Sequence, residues 1–214
     1  RLIMCNAFSA VITEAGDIYW QTGIDSHENI IDKFKLNKLD KKPGGLHRIE
    51  ITPENMDYLN PEGKWTFRHD EEKPKWWNNK YKDLCFAELE KWKTQVYSLI
   101  NLEEARNPIN PFEIDPPKKI TDKHIKLLKK WDSVGDSVGA SVWDSVGDSV
   151  RASVRASVWA YTGSLFKLPK WEKSYPYQPV VDLWEMGLVP SFDGEVWRLH
   201  GGKKAKILWE GKLE

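Results

Sequence analysis

The chain has 214 residues, long enough for one large domain or two small ones with a buried core. Its 32 basic and 32 acidic side chains cancel, which excludes a global charge field that steers it to nucleic acid or membrane. Two cysteines do not make a disulfide framework and indicate a reducing compartment. No apolar run approaches about eighteen residues and no secretory segment opens the chain, so we expect a cytoplasmic protein without membrane contact.

The first part of the chain predicts antiparallel strands with helices. Apolar, β-branched residues 7–13, the turn 14–17 and residues 18–22 predict a β-hairpin. Asp25-Ser-His-Glu28 supplies an N-cap and an acid for a short helix, and this outweighs a catalytic triad because triads assemble from separated positions. Alternating apolar and polar residues predict two further strands, at residues 48–52 and 64–68. Apolar residues at helical spacing predict a long helix at residues 81–101.

Four prolines within residues 107–117 indicate a linker or domain boundary. Thr121 then opens a lysine-rich helix that leads into the central part of the chain. The predicted organisation is an N-terminal α+β region, the linker, the lysine-rich helix with a repeat, and a C-terminal helix with a β-hairpin, at residues 1–106, 107–117, 118–166 and 167–214.

A four-residue unit, [Trp/Gly/Arg]-[Asp/Ala]-Ser-Val, occurs seven times without a break from Trp131 to Val158. Tryptophan, glycine and arginine share no physical property, but TGG, GGG and CGG differ only in their first base. We therefore infer a twelve-nucleotide tandem repeat that drifted, and expect the first position to be non-structural. The invariant valines are the predicted structural residues of the repeat: Val134, Val138, Val142, Val146, Val150, Val154 and Val158.

Two backbones fit a period of four. On an α-helix, successive valines are about 40° apart, so they form a stripe over two or three units and then drift around the helix. In a parallel β-solenoid, valine points inward and the first position points outward. We favour a long helix because no proline interrupts the tract and a helical pattern leads into it, with a short β-solenoid as the alternative.

The tract resembles two groups of proteins. Its unit is similar to that of pentapeptide-repeat proteins, which carry a small residue two positions before a central apolar one. It also resembles tetrapeptide-repeat segments of uncharacterised phage and uncultured-microbe proteins, as do Asp25-Ser-His-Glu28 and residues 189–200. The second resemblance implies a phage or mobile-element origin and no particular activity.

After the repeat, Pro179 suits the first turn of a helix that Gly187 ends. Asp193-Gly194 is a favoured turn pair, and residues 195–199 and 205–210 predict a C-terminal β-hairpin or meander. The expected fold class is α+β.

Cys5 directly follows Met4, and this dipeptide resembles the start of amidotransferases of the N-terminal-nucleophile class. The resemblance implies that Cys5 attacks the substrate with its own amine as base. The alternative, which we favour, is a structural cysteine packed beside a strand. The five histidines show no metal-ligand spacing, so we expect neither a metal nor another cofactor.

One concentrated basic patch surrounds the start of the lysine-rich helix, and tryptophans stand beside lysines elsewhere. Basic and aromatic side chains together can hold single-stranded nucleic acid, whereas the structural alternative is a solvated helix face with core tryptophans. The candidate binding residues are Lys118, Lys119, Lys123, Lys126, Lys129, Lys130, Trp76 and Trp77.

These patterns favour a tryptophan-rich, non-enzymatic interaction or scaffold protein that uses the repeat as a packing or oligomerisation surface. A protein partner or self-association is expected. The alternatives are an amidohydrolase that uses Cys5 and a single-stranded nucleic-acid-binding protein that uses the patch from Lys118 to Lys130.

Overall fold

The computed structural model describes residues 8–137, 150–168, 171 and 174–213. The chain divides into two compact units, Arg1–Leu99 and Ile100–Glu214. Each unit combines helices with an antiparallel sheet, so the α+β class predicted from the sequence is confirmed.

A four-stranded antiparallel sheet forms the centre of the first unit, in the order β2-β1-β3-β4. The predicted N-terminal hairpin is confirmed, since Val11 of the first strand lies opposite Tyr19 of the second. The strands are β1 (Phe8–Thr13), β2 (Ile18–Tyr19), β3 (Leu46–Pro53) and β4 (Trp65–His69).

Helices cover both faces of this sheet, because alternate residues of β1 and β3 are apolar on either side. Phe8 and Ile51 pack with Leu89 on one face, and Val11 packs with Ile30 on the other. The helices are α1 (His27–Lys33), α2 (Asn37–Asp40) and α3 (Asn79–Ser98), with a 3₁₀ turn at Glu54–Met56.

The predicted capped helix is confirmed, but its N-cap is Ser26 and not Asp25, the residue three positions before Glu28. The Oγ of Ser26, the N-cap residue, accepts a hydrogen bond from the backbone N–H of Asn29 at 3.3 Å. Asp25-Ser-His-Glu28 thus begins a helix, as the sequence predicts.

The second unit is built around one short apolar helix, α7 (Gln178–Glu185), whose Val180, Leu183 and Trp184 are buried. The helices at Asp122–Ser137 and Val150–Ser164 and the strand at Leu188–Phe192 all contact α7. The remaining elements are α4 (Leu102–Arg106), α5 (Asp122–Ser137), α6 (Val150–Ser164), β5 (Leu188–Phe192), β6 (Trp197–Gly201) and β7 (Lys206–Gly211), with the strands antiparallel in the order β5-β6-β7.

The proline-rich residues 107–117 contain neither helix nor strand and belong to the second unit. The backbone N–H of Ile109 donates to the hydroxyl of Tyr161 at 2.7 Å. The carbonyl oxygen of Ile114 lies only 2.8 Å from the position of a Cβ added at Gly187. The division between the units falls earlier than these prolines, between Leu99 and Ile100.

The two ends of the repeat are helical. Residues 131–137 complete α5, and residues 150–158 form the first part of α6. The helix prediction is confirmed for these ends, and the β-solenoid alternative does not apply to them. Residues 138–149 lie outside the described part of the chain.

Candidate functional site

The inner face of α6 is lined by small residues. Ser153, Ser157, Ala156 and Ala160 are all buried. The Oγ of Ser153 accepts a hydrogen bond from the backbone N–H of Phe192, in β5, at 2.9 Å. Small side chains let the helix backbone approach its neighbours closely, so the serine of each repeat unit is the packing residue in this helix.

The outer face of α6 carries the first position of each unit. Arg151 and Arg155 are exposed, and Trp159, four residues further on, is 59% exposed. A spacing of four turns each residue by about 40° relative to the last, so the three side chains lie within an arc of about 80°. We call Arg151, Arg155 and Trp159 the Arg–Trp ridge. Trp159 is the only tryptophan in the described residues whose side chain is exposed.

The expectation that valine is the buried residue of the repeat is wrong at Val158, which is 41% exposed. Val134 and Val154 are only partly buried. The reason is that α6 turns its serines towards β5, and each valine lies about 100° away from the preceding serine. The side chains of Val138, Val142, Val146 and Val150 lie outside the described residues.

The first position of the unit faces solvent in α6, as expected, but not everywhere. Trp131 of the first copy is buried, with its ring in edge contact with Tyr177 at 6.2 Å. In α5 the repeat continues a helix that buries Leu128, and Trp131, three residues later, lies on the same buried face. The same unit therefore presents different faces to the core in its two described parts.

The basic patch predicted from the sequence is exposed throughout. The buried residues of α5, His124, Leu128 and Trp131, lie on the side of the helix opposite its lysines. We call the exposed set the lysine stripe: Lys118, Lys119, Lys123, Lys126, Lys129 and Lys130.

Trp76 and Trp77 lie in the first unit, where both side chains contact other protein groups. The ring of Trp77 stacks on Tyr81 at 5.5 Å and lies 4.8 Å from the ring of His47. The Nε1–H of Trp76 donates to the carbonyl of Gly44 at 2.6 Å. Both side chains are half-buried, and their packing in this aromatic cluster accounts for them without a bound base.

A histidine pair beside Trp77 is a feature that sequence reasoning missed. His47, in β3, is fully buried, and its Nε2 lies 2.8 Å from the Nδ1 of His69, in β4. Burial and the neighbouring His69 lower the pKa of His47 to about 4. Burial, Lys73 and Lys82 also lower the pKa of His69 below its usual value. Both imidazoles are therefore neutral near pH 7.

Only one of the two cysteines, Cys85, lies in the described part of the chain. Cys85 is buried in α3, and burial together with the nearby Glu88 raises the pKa of its thiol to about 12. It is therefore not a nucleophile, because the thiolate is the reactive form. Cys5, the candidate of the N-terminal-nucleophile alternative, lies outside the described residues.

Two further findings concern metals and membranes. In the part of the chain that the structure describes, no group of three or more His, Cys, Asp or Glu side chains could hold a metal ion. None of the helices within these described ranges is both long enough and apolar enough to cross a membrane.

No protein-family model, curated protein or solved structure matches this chain. Among the described residues, the Arg–Trp ridge and the lysine stripe are two exposed surfaces of the second unit.

Proposed function

We propose that this chain is a non-enzymatic interaction protein that binds single-stranded nucleic acid through the outer face of its repeat-derived helix. The observation that carries the proposal is the exposure of Trp159 directly beyond Arg155 and Arg151 on α6. Arginine neutralises phosphates, and an exposed indole offers a platform on which a base can stack.

The lysine stripe supports the same partner. Both α5 and α6 pack against α7, so the stripe and the Arg–Trp ridge belong to one unit. A cationic surface that tracks the phosphate backbone and an aromatic residue that stacks on bases are the two parts of a binding site without sequence preference. The balanced charge of the whole chain does not oppose this, because the field near a surface depends on how charges are distributed.

The test is the affinity of the full chain for a fluorescent, mixed-sequence single-stranded oligonucleotide, measured by anisotropy over a range of NaCl concentrations. Replacing Arg151 and Arg155 with alanine removes two phosphate contacts. We expect the slope of log affinity against log salt to become shallower by about 1.4, since each contact on a single strand contributes about 0.7. Trp159→Ala is expected to weaken binding by about 1–3 kcal/mol with an unchanged slope.

A matched control removes the same charge elsewhere on the second unit. Lys203 and Lys204 are exposed in the turn between β6 and β7, and their double alanine variant should leave both affinity and slope unchanged. Equal effects of the two double variants would contradict the proposal. An absence of oligonucleotide binding would also contradict it. If the native protein were multimeric and the Arg151 and Arg155 variants reduced its mass, the ridge would be a self-association surface and not a nucleic-acid-binding one.

A further inference from the structure

Glu71, His47 and His69 lie in line at the end of the sheet of the first unit. The Nδ1 of His47 is 3.5 Å from Oε1 of Glu71, and its Nε2 is 2.8 Å from Nδ1 of His69. The strand register explains the histidine pair, because Ile49 lies opposite His69, and His47 lies two residues before Ile49 on the same face of β3. Glu71 follows His69 by two residues, just beyond the end of β4.

Arg48 holds the carboxylate of Glu71 in place. Its backbone N–H donates to Oε1 at 2.8 Å, and its Nη1 donates to Oε2 at 3.1 Å. Its Nη2 is bound in turn to Asp40 at 2.6 Å. The carboxylate of Glu71 is thus fixed beside the buried Nδ1 of His47, with Oε1 3.5 Å from that nitrogen.

The position of Glu71 decides which nitrogens carry protons. If His47 donated from Nε2 to His69, its buried Nδ1 lone pair would face the carboxylate, and two acceptors would repel each other. If His69 donates from Nδ1 to His47, the proton of His47 is on Nδ1 and faces Glu71 favourably. The second arrangement leaves a lone pair on Nε2 of His69.

The surroundings of His69 are cationic and aromatic. The Nζ of Lys82 lies 5.9 Å from the centroid of the Phe67 ring. Lys73 and Lys82 are both exposed, and their charges contribute to the lowered pKa of His69. The rings of Phe67 and Trp77 lie 4.9 Å from it. His69 is partly exposed, and no described residue forms a hydrogen bond or ion pair with its Nε2.

We propose that His69 is the acceptor of an anion site, and that the site takes an oxyanion that carries a proton near pH 7, such as inorganic phosphate. The lysines attract the negative charge, and Nε2 of His69 accepts a hydrogen bond from the protonated oxygen. Sulfate has nearly the same size and charge but carries no proton near pH 7. Facing Nε2, it would place one acceptor against another.

The first test is the tautomer of His69, measured by long-range proton–nitrogen NMR on the full chain at pH 7. Individual His→Gln variants assign the signals of the five histidines. We expect His69 to carry its proton on Nδ1. Glu71→Gln removes the charge that selects this tautomer, so Nε2 should become partly protonated. A wild-type His69 protonated on Nε2, or a tautomer unaffected by Glu71→Gln, would overturn the inference.

The second test is titration of the same samples with inorganic phosphate and then with sulfate at equal ionic strength. Phosphate should shift the Nε2 signal of His69 and bind at least about tenfold more tightly than sulfate, the ratio expected for one hydrogen bond to a charged group. His69→Gln should abolish the discrimination while His124→Gln, in the second unit, preserves it. Equal affinities for the two anions would contradict the proposed ligand, and the oligonucleotide measurements on α6 are independent of either result.

Discussion

Replacing Gly187 by alanine is expected to lower the free energy of unfolding by about 2–5 kcal/mol. Gly187 has φ +71°, a left-handed conformation that costs other residues about 1–2 kcal/mol. An added Cβ would also lie 2.8 Å from the carbonyl oxygen of Ile114, and such overpacking costs about 1–3 kcal/mol. Urea denaturation of the wild-type and variant proteins measures the difference.

Gly202→Ala is the matched control. Gly202 has φ +67°, but an added Cβ would meet only Pro116, at 4.0 Å. This variant should therefore show the conformational cost without the steric one. If the two alanine variants lost equal stability, the carbonyl oxygen of Ile114 would not pack against Gly187 in the turn before β5.

Replacing Ser157 by leucine is expected to destabilise the protein by about 1–3 kcal/mol or more, because Ser157 is fully buried on the inner face of α6. Its hydroxyl donates to the carbonyl of Val154 at 2.7 Å. Because the side chain is fully buried, the three additional carbons of leucine would have to displace neighbouring atoms.

Val158→Leu introduces the same residue at the next position, which is 41% exposed, and should change stability by no more than about 0.5 kcal/mol. Denaturant melts of the two variants give the comparison directly. A larger loss at Val158 than at Ser157 would mean that valine faces the core after all, as the invariance of valine in the repeat first indicated.

Elements with strong local patterns could be predicted from the sequence. Residues 81–101 have apolar positions at helical spacing, and they overlap the observed α3. The turn before β2 contains Gly16 at φ +94°, a conformation that glycine adopts without cost. Strand β5 was missed because residues 188–192 include Pro190 and lead into a turn, which hides a buried strand.

The buried face of the repeat could not be predicted. The variation among the seven copies marks the first position as tolerant, but Ser and Val are both invariant, so it does not show which of these two faces the core. The choice is made by β5, whose Phe192 binds Ser153 across 39 positions of sequence. Valine is the same in every copy because the copies share one repeated unit, and its invariance is not a sign that valine is buried.

The histidine site was hidden for a related reason. His47 and His69 are 22 residues apart, and only the register of β3 with β4 brings their nitrogens within 2.8 Å. Their separation gives no metal or catalytic spacing in the sequence. A prediction of β3 and β4 that also fixed their register would have placed Ile49 opposite His69, and His47 near it on the same face.

The most direct test of the account is the rate at which single cysteines introduced into α6 react with a thiol reagent, followed by peptide mass spectrometry. Arg155→Cys and Val158→Cys should react at rates of exposed thiols, whereas Ser157→Cys should be protected to a degree similar to Cys85, which is buried. Fast reaction of Ser157→Cys together with protection of Arg155→Cys would contradict the orientation of the repeat-derived helix, and with it the binding surface proposed here.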